Sequence, residues 1–341
     1  RTSHAACPSC SGGAGEEAGA EPDSCAHYRT ATVRSRDDCC VRVTGPDSGG
    51  TKRAVRPFYT SDRGRTSLSG SGIVLRVPND PQQRRWLLTS AGVLAPFMQL
   101  PAETFRPQTR YGFVEERALI SGTVVEIRSD HPTEWIALPS SRVAVLDVPH
   151  FRGAVREIAA SIGIETRGVP FGSLAVIALP DVAGIPRGRA IPSRGSANRI
   201  AALCARGSPT LVVSSPYGLV APRIFANSWT SGVVANALEQ RSGGALALLL
   251  VDNRCLSGSE GGTVRSGAAG EWIGVVAPAL PPFLRPRVAP LGAERSTSPP
   301  PTDGADEAWT PPRVAGAARE IDQLTAVVPL SAFARQLRRH L

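Results

Sequence analysis

What this 341-residue chain has little of narrows its chemistry first. Lysine occurs once, as Lys52, so the formal net charge of +9 is carried almost entirely by arginine. A surface that binds nucleic acid gathers cations to neutralise phosphates and release their counterions. Here the arginines are spread along the whole chain, without an aromatic-interleaved patch or a nucleic-acid motif, which argues against such a partner. The arginine bias beside abundant Ala, Gly and Pro fits GC-rich coding instead. No run of about 18 apolar residues exists, so no membrane-spanning helix is expected. The longest apolar stretch, "GGALALLLV" (243–251), has the length of a strand. The amino end carries no secretory signal peptide, and because the first residue is Arg1 the chain reads as a fragment. Histidine is scarce as well: His4, His27, His131, His150 and His340 are all there is.

Cysteine is unevenly placed. Of seven, Cys7, Cys10, Cys25, Cys39 and Cys40 fall in the first forty residues. Cys7-x-x-Cys10 with Cys25 and His27 supplies four N or S ligands, the number a zinc site wants, but in a spacing that matches no known zinc motif. The plainer reading is free thiols in a reduced compartment. Cys39 and Cys40 are adjacent and open an apolar strand, so one of them is expected to point inward. No cofactor is expected.

What is present points to strands. With 42% hydrophobic and 20% charged residues the chain can bury a sizeable core. The 34 glycines and 30 prolines break it into many short elements. Strand-like runs such as "SGIVLRV" (71–77), "RWLLTS" (85–90), "SLAVIAL" (173–179), "PTLVVSS" (209–215), "ALALLLVD" (245–252) and "EWIGVVA" (271–277) are separated by Gly, Pro, Asn and Asp. Residues 1–34 read as a flexible Cys/Gly-rich extension, 35–285 as the β body, 286–316 as a proline-rich loop or insert, and 317–341 as a last strand and helix. In that helix Phe333, Ala334, Leu337 and Leu341 follow Leu330 at helical spacing, with Arg338 and Arg339 near the negative end. Trp86, Trp229 and Trp272 read as packing residues, Cys204 as core and Cys255 as a buried thiol.

The segment "RCLSGSEGGTV" (254–264) has the Gly-x-x-Gly-Gly frame of a trypsin-type nucleophile loop, with Glu260 where the serine belongs. "LSGSGIVL" (68–75) followed by "WLLTSAGVL" (86–94) resembles the Gly-Ser-Gly strand and histidine corner of the HtrA/Deg branch of chymotrypsin-fold proteases. "SSPYGL" (214–219), "SGVVAN" (231–236) and "LTAVVPLSAF" (324–333) resemble later blocks of that branch, in the same order. Within it, "VRVTGPDSGG" (41–50), "SPYGLVAPRIFANSWTSGVVAN" (215–236) and "DNRCLSGSEGG" (252–262) are similar to the amino-terminal half of the peroxisomal or glyoxysomal leader-peptide-processing serine protease family. The resemblance covers about residues 35–341. It implies an all-β, chymotrypsin/trypsin-like double β-barrel closed by a carboxy-terminal helix.

A serine needs an imidazole to take its proton and a carboxylate to orient that imidazole. Carried onto this chain, the resemblance puts Gly92 at the histidine position and Glu260 at the serine. It puts Ser173 at the aspartate position, or Arg142 if "SRVAVL" (141–146) is the matching strand. All three members of the triad are replaced, so no catalytic residue is expected. The fallback nucleophile is Ser259, one residue early, which needs a base; His150, with Asp147 nearby, is the mid-chain candidate. The Glu260 carboxylate has two expected orientations: inward, onto the backbone N–H groups that hold an oxyanion in such proteases, or outward into solvent. The implied role is a catalytically inactive module of an endopeptidase that processes the targeting presequences of imported matrix proteins. Its implied partners are the carboxy-terminal protease half, a second copy of the chain, and peptide or protein substrates. Its implied address is the peroxisome or glyoxysome matrix, although the ending "RHL" is no Ser-Lys-Leu-type signal. The alternatives are an active protease using Ser259 and a zinc-containing adaptor.

Overall fold

The computed structural model describes residues 37–46, 59–62, 65–78, 80–99, 114–129, 134–139, 142–161, 172–193, 196–240, 245–267, 269–277 and 324–341. The zinc candidates Cys7, Cys10, Cys25 and His27, the proline-rich segment and His131 lie outside them. All described residues belong to one compact unit.

The first lobe is a ten-stranded sheet in the order β5-β8-β9-β4-β3-β1-β6-β7, with β2 and β10 also paired to β3. Its strands are β1 (Asp38–Pro46), β2 (Tyr59–Asp62), β3 (Arg65–Arg76), β4 (Arg85–Ser90), β5 (Val114–Ala118), β6 (Val124–Arg128), β7 (Ile136–Leu138), β8 (Arg142–Leu146), β9 (Leu174–Leu179) and β10 (Arg189–Ala190). The second lobe is a closed six-stranded barrel, β11-β12-β13-β16-β15-β14. It is built from β11 (Pro209–Ser214), β12 (Ser228–Glu239), β13 (Leu246–Val251), β14 (Thr263–Ser266), β15 (Trp272–Val276) and β16 (Thr325–Pro329). The architecture is all-β, an open ten-stranded sheet and a closed six-stranded barrel, with a carboxy-terminal helix at the end.

Why the central strands of the first lobe read as unbroken apolar runs follows from their two faces. Val74 of β3, Leu87 of β4 and Ala175 and Ile177 of β9 point into the lobe's own core. Their neighbours Ile73, Leu75, Leu88, Leu174 and Val176 point the other way, into a second core continuous with the barrel. Strands buried on both faces lose the polar alternation that marks a solvated sheet. Cys39 and Cys40 show the same effect: one of the two was expected to point inward, and the structure buries its neighbour as well. Both are buried, Cys39 in the lobe's core and Cys40 against the second lobe, where a Cβ on Gly218 would run into its Sγ.

Five α-helices are described: α1 (Ala91–Leu94), α2 (Pro149–Ser161), α3 (Ser196–Leu203), α4 (Pro222–Phe225) and α5 (Leu330–His340). His150 stands in the first turn of α2, opened by Pro149, whose missing N–H costs nothing at a helix start. Phe151 and Val155, one turn apart, anchor α2 in the shared core. α5 buries Leu330, Phe333, Ala334 and Leu337, the stripe read from the sequence. Cys204 and Trp272 are buried, whereas Trp229 is corrected from packing residue to surface: it lies on the outer face of β12 and is 42% exposed. No helix among the described residues is long and apolar enough to cross a membrane.

Candidate functional site

The seam between the lobes brings Gly92, Ser173 and Glu260, the positions the resemblance assigns to a triad, close to one another. Ser90 ends β4 and caps α1, its Oγ accepting the Gly92 N–H at 3.2 Å. Gly92 therefore stands in the first turn of a helix, where a histidine side chain would project and where here there is none. The next amide, Ala91 N–H, donates to the Ser173 carbonyl at 3.0 Å, which fixes Ser173 beside the same turn. Arg142, the other candidate for the carboxylate position, lies on β8, separated from β4 by β9, and reaches outward to Glu116 at 3.3 Å. The loop carrying Glu260 closes the group. The Glu260 carbonyl accepts the Ser71 N–H at 2.8 Å, and Gly261 rests directly against Ser71, Thr89 and Ser90. Gly261 has φ +87°, and a Cβ there would collide with the Ser71 carbonyl, so the close approach demands glycine.

Ser71, a residue not singled out from the sequence, ties the loop to both lobes. Its Oγ donates to the Gly258 carbonyl at 2.7 Å and accepts the Ser215 N–H at 2.7 Å, and its carbonyl accepts the Thr89 hydroxyl at 2.6 Å. Its position inside "SGSG" next to a long apolar run was the available signal. A few residues away Asp38 of β1 and Arg265 of β14 pair at 2.5 Å, both almost fully buried, with Thr263 donating to the second Asp38 oxygen at 2.8 Å. This ion pair was also missed, since the two residues are 227 positions apart and neither sits in a motif.

The Glu260 carboxylate turns inward. Its Oε2 accepts the Gly258 N–H at 2.8 Å, and its own backbone N–H also hydrogen-bonds the carboxylate. If residue 260 takes the nucleophile position that the resemblance assigns it, these two amides correspond to the pair that holds a developing oxyanion. The side chain is half-buried, and burial raises its pKa against the opposing pull of the two N–H donors.

The other candidates do not assemble. Ser259 is 2% exposed; its Oγ accepts hydrogen bonds from the Ser214 hydroxyl at 3.1 Å and the Leu256 N–H at 3.2 Å. His150 is exposed on α2, and the Asp147 carboxylate that would orient it is held by Arg152 at 2.5 Å. The Cys255 thiol is half-buried and pushed up to about 11, chiefly by burial, with the Glu260 charge adding and a hydrogen bond to Thr325 opposing. It is protonated at neutral pH and a weak nucleophile. Among the described residues no group of His, Cys, Asp and Glu side chains is arranged to hold a metal ion.

Comparison with known proteins bears on this geometry. No protein-family model matches the chain. It is 39% identical over 99 residues to the human peroxisomal leader peptide-processing protease, a match that covers 24% of this chain and 16% of that protein. It is 42% identical over 76 residues to the mouse protein of the same name, covering 22% of this chain and 12% of that one. The matches thus span less than a fifth of the relatives' own length. Among solved structures, the HtrA-type protease AlgW with a decapeptide aligns over 89% of this chain and 63% of its own, with a TM-score of 0.38 and 11% identity. The same protease with a tripeptide aligns over 71% and 50%, with a TM-score of 0.35.

Proposed function

We propose that this chain is a catalytically silent, protease-like module of a serine endopeptidase that removes targeting presequences from proteins imported into peroxisomes or glyoxysomes. The observation that carries the reading is Glu260: it stands at the nucleophile position and its carboxylate accepts the Gly258 N–H. Among the described residues, Gly92 and Ser173 flank the same turn at the positions where the resemblance would put a base and an orienting acid. The similarity to relatives that bear the name peroxisomal leader peptide-processing protease supports the address and the substrate class. The module's work is then support or regulation of a catalytic half elsewhere in the protein, through that half, a second copy of the chain, or bound presequence.

A fluorophosphonate probe tests the silence directly. The expected result is no adduct on the peptide "CLSGSEGG" (255–262) by mass spectrometry, in protein shown to be folded by a cooperative thermal melt. An adduct on Ser259 would sink the proposal, because it requires an activated hydroxyl where the structure places a buried one.

A further inference from the structure

The turn that carries Glu260 is built without the help of its side chain. Gly258 N–H donates to Glu260 Oε2 at 2.8 Å, and the Glu260 N–H bonds the same carboxylate. A peptide unit is planar and trans, so its N–H points opposite to the carbonyl of the residue before it. The Ser257 carbonyl, which shares a plane with the Gly258 N–H, accepts the Tyr217 N–H at 2.9 Å. The Ser259 carbonyl, which shares a plane with the Glu260 N–H, accepts the Gly262 N–H at 2.9 Å. Both donors are therefore aimed from behind, by bonds in which the carboxylate takes no part.

The rest of the turn is fastened in the same way. The Gly258 carbonyl accepts the Ser71 hydroxyl at 2.7 Å, and the Glu260 carbonyl accepts the Ser71 N–H at 2.8 Å. Ser259 N–H donates to the Leu256 carbonyl and Gly261 N–H to the Val276 carbonyl, both at 2.9 Å. Gly258 is left-handed, and amides arranged around such a turn form a concavity for an anion. A carboxylate already lies in it. Glu260 is half-buried, so the volume its side chain occupies reaches solvent.

Donors held in place before an anion arrives give up little freedom in binding it, and binding is stronger for that. We propose that the backbone turn at residues 258–260 is a preformed carboxylate-binding site, which Glu260 fills as a tethered ligand and which takes a carboxylate from another molecule once that side chain is withdrawn. The ligand is a small carboxylic acid or the terminal carboxylate of a peptide. While Glu260 is in place, a free acid competes with a group held on the same loop at an effective concentration that no dilute solute matches. The intact chain is therefore closed to it. The site rests on the geometry of the loop alone and stands whether or not the chain is a silent protease.

Chemical rescue tests it. Glu260→Ala removes a methylene and a carboxylate, the composition of acetate but for one hydrogen. Thermal melts of the wild type, Glu260→Ala and Glu260→Gln are run in sodium acetate and in sodium chloride at equal ionic strength. The wild type's difference between the two salts measures the general salt effect. Acetate at about ten times its dissociation constant is expected to raise the Tm of Glu260→Ala by about 3 °C beyond that difference. Glu260→Gln keeps the concavity filled and is expected to match the wild type. A further rise with acetylated tri-alanine bearing a free carboxyl, and none with its amide, extends the ligand to a peptide terminus; a rise with acetate alone assigns a small acid. A response of Glu260→Ala no larger than the wild type's, or one shared by Glu260→Gln, overturns the site. Should Glu260→Ala not melt cooperatively in chloride, its refolding from urea is compared in the two salts, and recovery no better in acetate overturns it as well.

Discussion

Glu260 holds two backbone N–H groups that a working protease keeps for its substrate. Its raised pKa gives this arrangement a pH dependence opposite to that of a salt-bridged carboxylate. The folded state binds the Glu260 proton more tightly than the unfolded chain does, so the group's contribution is complete below its unfolded pKa of 4.5 and is lost as pH rises through the higher folded value. Glu260→Gln keeps an acceptor for the Gly258 N–H and removes the titration. Urea denaturation from pH 7 downward is therefore expected to show the wild type gaining stability relative to Glu260→Gln as the pH falls. A constant difference between the two would contradict the buried-carboxylate geometry. The positions of Gly92 and Glu260 stood out in the sequence, because each interrupts a block that the resemblance picks out. The inward rotamer was not, because it depends on the backbone of Gly258, whose φ of +93° shapes the turn beneath the carboxylate.

Among elements, α5 was the most readable, since its apolar stripe is strictly helical and its basic residues gather in the last turn. Phe333 projects from it into the barrel core and meets Trp272 edge-on at 6.1 Å. Phe333→Ala removes that contact and leaves a cavity beneath a closed barrel, at an expected cost of about 3–5 kcal/mol in urea denaturation. A loss below about 1 kcal/mol would mean that α5 is only loosely docked. The buried strands were readable for a different reason: β3, β4, β9 and β13 are short apolar runs bounded by turn residues. α2 was hidden because its two core anchors, Phe151 and Val155, are spaced among arginines and glutamate, and a stretch that polar gives little contrast against a loop.

For the molecule as a whole, the contacts that join the two lobes are the ones no local pattern announces. Asp38 lies at the start of the first described strand and Arg265 deep in the barrel, yet they share a dry ion pair with Thr263. Asp38→Ala leaves Arg265 buried without its carboxylate and is expected to cost about 3–5 kcal/mol. Replacing both, as Asp38→Leu with Arg265→Met, is expected to recover most of that loss, since the apolar pair incurs no desolvation. Equal losses in the single and double variants, measured by urea denaturation, would show that the pair does not act as a unit. Sequence reading reached a β body and a closing helix but not the way the two lobes lock, because a hydrogen bond such as that from Ser71 to Gly258 needs only a serine and a backbone carbonyl.

The filled amides at residues 258 and 260 also set the price of going back. Putting a serine at 260 by itself would strip the two N–H groups of their acceptor without providing a base at 92 or an acid at 173. On the proposed reading that single change would restore no catalysis. On that reading, three coordinated changes, at 92, 173 and 260, separate this loop from a working triad, so activity could not return one substitution at a time.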